Sequence, residues 1–231
     1  MSDSNIYLIQ HVDFEGPGFI ADWLNKHHKT WKPVKLYDGD TLPEARKKDI
    51  GGLIIMGGPM NIYEDDRYAW MAAEKDFIRF CVESEIPTLG ICLGSQFIAD
   101  ALGADVFGHK FEEVGWFEVQ QIFEGSFESE LDAYRVFHWH GETFDAPKGS
   151  VHLFESESCE QQAFQYGEHV VALQFHLELG PNHIKQLEAQ IRPGLKKGPY
   201  VQKWDEIMEI KDERIKENKK LLFNILKHLF D

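Results

Sequence analysis

The stretch TLGICLGSQFIADALG, residues 88–103, combines the end of a strand with the start of a helix. TLGIC is a short apolar run typical of a buried strand, and the apolar residues that follow recur at helical spacing until Gly103. Cys92 lies at the junction, between Gly90 and Gly94. This G-x-C-x-G pattern predicts a sharp strand-to-helix turn that presents the cysteine side chain at the end of the strand.

The rest of the first half repeats this alternation of strands and helices. Because strands that alternate with helices build parallel sheets covered on both faces, we expect an α/β fold. Ligands bind at the carboxyl ends of such strands. The expected strands are 5–12, 34–37, 51–58 and 88–92, and the expected helices include 67–85 and a brief one over 42–49.

The second half changes character. Short β-like runs such as VGWFEVQQIF and HVVALQFH follow one another with few helices, which predicts antiparallel strands that extend the same sheet. Since no linker separates the halves, we expect one domain over 1–231. A charged helix at about 200–230 is expected to pack its apolar stripe on its own sheet.

Charge and composition exclude several classes of partner. The 231 residues carry a formal net charge of −15, which disfavours binding to nucleic acid and to anionic membranes. The N-terminal sequence does not resemble a signal peptide, and no apolar stretch approaches the roughly 18 residues of a membrane span. Three scattered cysteines do not form a disulfide framework. We therefore expect a soluble cytoplasmic protein.

Cys92 is the candidate nucleophile. At a helix N-terminus the thiolate is favoured, so we expect the pKa of this thiol to lie below its usual value of about 8.5. A free cysteine at a strand end is more often a small buried apolar residue, but the glycines on both sides favour a nucleophile here. Cys81, inside a helical pattern, and Cys159, in a polar segment, lack this frame.

A cysteine nucleophile needs a histidine base, and that histidine needs an acceptor to orient it. Of the eleven histidines, His176 follows a strand-like run and has Glu178 two residues later. In extended chain these two side chains project to the same side, so Glu178 is the candidate orienting group. A solvated His-x-Glu at a strand end is the alternative.

An oxyanion formed from an amide carbonyl needs two backbone N–H donors. One is expected from Leu93, directly after the nucleophile. The second is expected from Gly57-Gly58, where missing side chains allow a close approach to a ligand. Taken alone, the Gly-Gly-Pro sequence more often marks a plain turn at a strand end.

Three motifs in this order resemble class I, triad-type glutamine amidotransferases: MGGPM at 56–60, GICLGSQ at 90–96 and QFHLE at 174–178. VFHWHGETFDAP at 136–147 is similar to the substrate-side segment of the stand-alone, GMP-synthase-like branch. The resemblance implies a flavodoxin-like three-layer αβα sandwich with a mostly parallel central sheet extended by antiparallel strands. It also implies hydrolysis of the glutamine side-chain amide through a γ-glutamyl thioester, with release of ammonia or an amine.

The resemblance also assigns roles to residues. It implies that Cys92 is the nucleophile, His176 the base and Glu178 the third triad member. Gly58 and Leu93 match the oxyanion donors. The residues expected to bind the amino-acid end of the substrate, in part through backbone, are Gly57, Gln96, Trp139, His140 and Gly141.

This chain departs from the family pattern at three positions. Ser95 replaces a common histidine, Leu177 replaces a common proline, and Trp139 replaces a small polar residue. Position 177 is not expected to touch the chemistry. Trp139 is expected to reshape the substrate pocket.

Cofactors and metals are not expected. His138 and His140 form an H-x-H pair, but no cysteine or carboxylate at a matching spacing completes a metal site. The expected partners are glutamine or another γ-glutamyl compound and, in one alternative, a separate ammonia-using synthase. Further alternatives are a γ-glutamyl peptidase acting on glutathione-like substrates and a non-catalytic binding member of the same fold. An α/β-hydrolase is disfavoured because its acid precedes its histidine.

Overall fold

Residues 5–231 are described by the structure, a computed structural model. Within this part of the chain, nine strands form one sheet. The strands are β1 (Asn5–Gln10), β2 (Trp31–Lys35), β3 (Ile50–Ile55), β4 (Thr88–Ile91), β5 (Val106–Gln121), β6 (Ala133–Phe144), β7 (Val151–Ser156), β8 (Ala163–Tyr166) and β9 (Val170–Leu173).

The strand order is β2-β1-β3-β4-β9-β8-β7-β5-β6. The first five strands of this order pair in parallel, and the remaining pairs are antiparallel. β4 and β9 are direct neighbours although the whole antiparallel part lies between them in the chain. The carboxyl ends of β4 and β9 therefore meet at one edge of the sheet.

Helices cover both faces of the sheet. They are α1 (Phe19–Lys26), α2 (Met71–Glu83), α3 (Leu93–Ala101), α4 (Pro181–Gln186), α5 (Glu188–Ile191), α6 (Trp204–Ile207) and α7 (Asp212–Phe230). One apolar core joins α1 and α7 to the sheet, and a second joins α2 and α3 to it. The expected α/β fold, with helices on both faces of a parallel sheet extended by antiparallel strands, is thus confirmed.

Two expectations before β3 differ from the structure. The second strand is Trp31–Lys35 rather than 34–37, and it pairs with β1 at the outer edge of the sheet. The sequence analysis did not predict the start of this strand because its lysines and Pro33 are atypical of a buried strand. An edge strand tolerates polar residues and proline. The helix expected over 42–49 is only a 3₁₀ turn at Lys47–Asp49, since the segment has no apolar face to bury.

The helix expected at about 200–230 is two helices, α6 and α7. The Trp116 indole N–H donates to the Ile207 carbonyl at 2.8 Å, at the point where α6 ends. A new helix then begins at Asp212, with Asp212 and Glu213 in its first turn. The apolar stripe of α7 packs on the sheet as expected, through Leu221, Leu222, Ile225 and Leu229.

None of the helices formed by residues 5–231 is both long enough and apolar enough to cross a membrane.

Candidate active site

Cys92 occupies a strained turn between β4 and α3. Its φ is 52° and its ψ is −108°, in the region that residues with a side chain rarely adopt. A Cβ on Gly90 would lie 2.6 Å from the Gly94 carbonyl oxygen, and a Cβ on Gly94 would lie 2.2 Å from the Ile55 carbonyl oxygen. Both glycines are therefore required by close packing, as the sequence pattern predicts.

The segment after β9 brings His176 to the same end of the sheet. The His176 backbone N–H donates to the Phe137 carbonyl at 2.8 Å, which ties this segment to β6. His176 Nδ1 lies 2.7 Å from Glu178 Oε1, and both side chains are buried. Leu177, between them, points into the apolar core. The Glu178 carboxylate thus contacts Nδ1, and Nε2 is the ring nitrogen that remains without this partner.

The Cys92 sulfur lies among polar groups of three segments. It is 3.8 Å from the Trp139 carbonyl oxygen and 3.6 Å from Gln174 Nε2. His176 is close enough to interact with the thiol and lower its pKa, but its Nε2 makes no complete hydrogen bond within residues 5–231. Such contacts are often loose in free enzymes and tighten when substrate binds.

The pKa of the Cys92 thiol is raised rather than lowered. Burial is the main cause, and it outweighs the lowering effects of His176 and of the Leu93 backbone N–H. Burial also lowers the pKa of His176, but the Glu178 carboxylate and the nearby Cys92 thiol together raise it well above its usual value. The sequence expectation was wrong for the resting thiol because complete burial is not visible in the motif.

The Gly57-Gly58 peptide is held from outside the pocket by two buried side chains. His11 Nδ1 donates to the Gly57 carbonyl at 3.0 Å, and His11 Nε2 lies 2.9 Å from Glu74 Oε1. Burial lowers the pKa of His11, but the charge and hydrogen bond of Glu74 raise it above its usual value. A protonated His11 donates to both acceptors. Because the peptide is trans, the Gly58 N–H points away from His11.

A cavity of about 290 Å³ opens above Cys92. A volume near 300 Å³ lies at the small end of ligand sites. Of the residues expected to bind substrate or stabilise the oxyanion, Gly57 and Leu93 adjoin the cavity through their neighbours in the chain rather than lining it. Those that line it directly are Gly58, Gln96, Trp139, His140 and Gly141.

The contacts of these residues define which atoms face the cavity. Gln96 Nε2 donates to Gln174 Oε1 at 3.1 Å, while Gln96 Oε1 is buried without a partner in the described chain. Trp139 brings its carbonyl to the thiol, and its half-buried ring packs near α4 and α5. Ser95 donates to the Cys92 carbonyl at 2.6 Å, so it supports the turn.

Glu15 is a site residue that the sequence analysis did not single out. It lines the cavity beside Cys92, and a Cβ on Gly57 would lie 2.1 Å from Glu15 Oε2. Burial raises its pKa to about 7, with His176 acting in the opposite direction. The available signal was its place in DFEGPG, just after β1, since ligands bind at the carboxyl ends of parallel strands.

The start of α1 fixes the backbone of Glu178. Gly18 has a φ of +47°, and a Cβ there would lie 2.1 Å from the Glu178 carbonyl oxygen. The Phe19 backbone N–H donates to that same oxygen at 2.9 Å. The loop that carries Glu15 therefore also contacts, through Gly18 and Phe19, the backbone of Glu178, which is the partner of His176.

Comparison with known proteins identifies the group of enzymes to which this site belongs. Residues 24–188 match the family model described as glutamine amidotransferase class-I. The chain belongs to that family. The Cys92 turn and the His176–Glu178 pair fall within the matched region, as the three sequence motifs predicted.

Relatives and solved structures agree with this assignment. A glutamine amidotransferase-like protein of Salmonella typhimurium is 30% identical over 181 residues, which cover 75% of each chain. The crystal structure of a glutamine amidotransferase from Thermotoga maritima is 32% identical and covers 100% of both chains, with a TM-score of 0.89. Another, from Methylobacillus flagellatus, has a TM-score of 0.91 at 29% identity and covers 98% of this chain and 94% of that one. The expected flavodoxin-like fold is confirmed.

Similarity also extends to larger enzymes. A GMP synthase of Helicobacter pylori is 33% identical over 146 residues, which cover 61% of this chain and 26% of that protein. The chain therefore corresponds to about a quarter of that enzyme.

Replacement of Glu178 by glutamine tests the electrostatics of the pair. Glu178→Gln keeps an oxygen for His176 Nδ1–H but removes the charge that raises the pKa of His176, so that pKa is expected to fall. It is measured by NMR titration of the His176 ring, assigned with a His176→Gln variant. Glu188→Gln, at an exposed ion pair with Arg192, is the matched control and leaves the titration unchanged. An unshifted His176 in Glu178→Gln would contradict the assignment.

Proposed function

We propose that this chain hydrolyses the side-chain amide of glutamine, or a related γ-glutamyl amide, through a thioester on Cys92. The observation that carries the proposal is the buried His176–Glu178 pair, 2.7 Å apart, beside a cysteine at a strained strand-to-helix turn. Membership of the class-I glutamine amidotransferase family supports the same chemistry.

The residues perform the reaction in two steps. In the first, His176 Nε2 takes the thiol proton as the sulfur attacks the amide carbon, and it then passes that proton to the departing ammonia or amine. In the second, His176 takes a proton from water, which attacks the thioester and releases the γ-carboxylate. The proton returns to the sulfur. Glu178 stabilises the imidazolium that forms in both steps.

Two backbone N–H groups are proposed to bind the oxyanion. Leu93 is the first residue of α3, where backbone donors have no partner within the helix. Gly58, which follows the carboxyl end of β3, supplies the second donor. Since the His11–Glu74 pair holds the Gly57 carbonyl outward, it keeps the Gly58 donor from flipping away.

The charge of the cavity favours a substrate with a free α-ammonium group. Glu15, Glu112 and Glu142 line it, and the described lining includes no lysine or arginine. We propose that Glu15 binds the α-ammonium group, while Gln96 and the backbone of 139–141 bind the rest of the amino-acid end. This acidic lining disfavours additional carboxylates, so glutamine fits better than glutathione.

A hydrolysis screen of the purified full chain tests the function. Glutamine, glutathione and neutral γ-glutamyl amides are compared, and turnover of glutamine or of a γ-glutamyl amide is expected. Cys92→Ser should lower kcat by about 10⁴-fold or more. Cys81→Ser is the matched control, because Cys81 is buried in α2 and its pKa is raised to about 12.

Other results of this screen separate the alternatives. Preference for glutathione would support a γ-glutamyl peptidase. Turnover that appears only with a co-purifying synthase would support an ammonia-delivering subunit. A glutamine-derived diazo-ketone that fails to label Cys92 selectively, together with no turnover, would support a binding protein and overturn the proposal.

Substitution of His11 tests the support of the oxyanion donor. His11→Leu removes the donor to the Gly57 carbonyl, so kcat is expected to fall by about 10- to 100-fold with little change in KM. His11→Asn places an amide N–H near the Nδ1 position and should restore much of kcat. Equal loss in both variants, or a change confined to KM, would contradict this role.

Substitution of Glu15 tests the binding of the ammonium group. With its pKa at about 7, Glu15 gains its charge as the pH rises through neutrality, so KM for glutamine is expected to fall over that range. Glu15→Gln should raise KM and abolish this pH dependence. Glu83→Gln, exposed on α2, is the control and should keep it. A Glu15→Gln variant with the same pH profile of KM would exclude the proposed contact.

A further inference from the structure

Three buried side chains meet on the inner side of the β5–β6 hairpin. Glu113 and His140 are direct cross-strand partners, and His138 lies two residues before His140 on the same face of β6. His140 Nε2 is 3.1 Å and His138 Nδ1 is 3.8 Å from Glu113 Oε2. One ligand atom from each residue lies within 4.8 Å of the other two. We call these residues the Glu113 cluster.

The hydrogen bonds of the two imidazoles leave nitrogens without partners. His140 Nδ1 donates to the Glu142 carbonyl at 2.9 Å, so in its neutral form Nε2 presents a lone pair toward Glu113. His140 Nε2 and both ring nitrogens of His138 are buried and have no complete hydrogen bond to any described residue. Lone pairs that face a carboxylate are unfavourable unless a cation or a proton lies between them.

The carboxylate is itself held in place. Ser156 Oγ donates to Glu113 Oε1 at 2.8 Å, and Gln162 Nε2 donates to Glu113 Oε2 at 2.6 Å. Histidines that bind metals commonly donate their other N–H to a carbonyl, as His140 does, and ligating carboxylates are hydrogen-bonded in turn. The surroundings of the Glu113 cluster therefore match those of a metal site.

We propose that Glu113, His138 and His140 bind one divalent cation of the zinc type. Two imidazoles and a carboxylate are a donor set that Zn²⁺ uses, at about 2.0–2.2 Å per bond. Tetrahedral bonds of that length separate the ligand atoms by about 3.3 Å. The separations of 3.1 and 3.8 Å from Glu113 Oε2 lie on either side of this value, and the ligand nitrogens of the two histidines lie within 4.8 Å of each other.

A second cavity adjoins the buried Glu113 cluster on the side of Glu113. It has a volume of about 440 Å³ and includes Glu113 in its lining. Three further carboxylates, Glu118, Glu155 and Glu157, line it together with one cation, Arg135. The excess of negative charge in this cavity attracts cations to the neighbourhood of Glu113.

The site does not supply the nucleophile of the proposed hydrolysis and does not rest on that proposal. Trp139 lies between the two histidines and brings its carbonyl to 3.8 Å from the Cys92 sulfur. A cation bound to His138 and His140 would fix this part of β6. The sequence analysis expected no metal site and did not include Glu113. This carboxylate reaches His138 and His140 from the neighbouring strand β5 and is distant from them in the sequence.

The test measures metal binding in a Cys92→Ser background, which removes the thiol as a competing zinc ligand. The full chain is stripped with a chelator, exchanged into Zn²⁺ and freed of excess metal, and its zinc content is determined by mass spectrometry. One equivalent is expected. Adding Glu113→Gln or His138→Gln should abolish it, whereas the matched control His109→Gln, from β5 but outside the cluster, should retain it.

A spectroscopic measurement keeps the proposal testable if the cluster variants do not fold. Co²⁺ bound to the Cys92→Ser chain should give the visible bands of a tetrahedral site, without a thiolate charge-transfer band. X-ray absorption of the zinc form should show two imidazoles among nitrogen and oxygen ligands. Failure of the Cys92→Ser chain to retain zinc, a metal shell without imidazole, or full retention by folded Glu113→Gln and His138→Gln variants would overturn the proposal.

Discussion

The left-handed turn at Cys92 constrains the rest of the site. Because Gly94 packs against the Ile55 carbonyl, the start of α3 lies directly against the end of β3. The groups around this sulfur follow the neighbouring strands β3 and β9 or come from the more distant strand β6. β3 leads to Gly58, β9 leads to His176, and Trp139 reaches across from β6. A turn of ordinary geometry would direct the thiol elsewhere.

Buried imidazole–carboxylate pairs recur around this turn and have separate tasks. The pair of His176 and Glu178 lies beside the thiol, and that of His11 and Glu74 holds the Gly57 carbonyl. In such pairs the loss of one partner leaves an uncompensated buried charge, which is far more costly than the loss of the whole pair. These interactions are therefore better suited to fixing geometry than to adding stability.

Sequence patterns predicted the elements whose signal is local. The glycines around Cys92 and the His-x-Glu spacing at His176 depend on neighbouring residues, so the turn and the contact followed from them. Interactions between distant segments could not be predicted from local patterns. Glu15 lies in a loop after β1, and Glu113 has no partner nearby in the sequence. The raised thiol pKa was missed for the same reason, since burial is produced by the assembled fold.

The placement of β9 between β4 and the antiparallel strands has a consequence for the order of assembly. β9 pairs with β4 across the whole segment from α3 through β8, so this pairing closes a long loop. Contacts of large sequence separation form slowly. During synthesis Cys92 is therefore made well before His176, and the two residues come together only when β9 has paired with β4. The polar surroundings of the Cys92 sulfur are thus completed late in folding, by the pairing of distant segments rather than by the local turn.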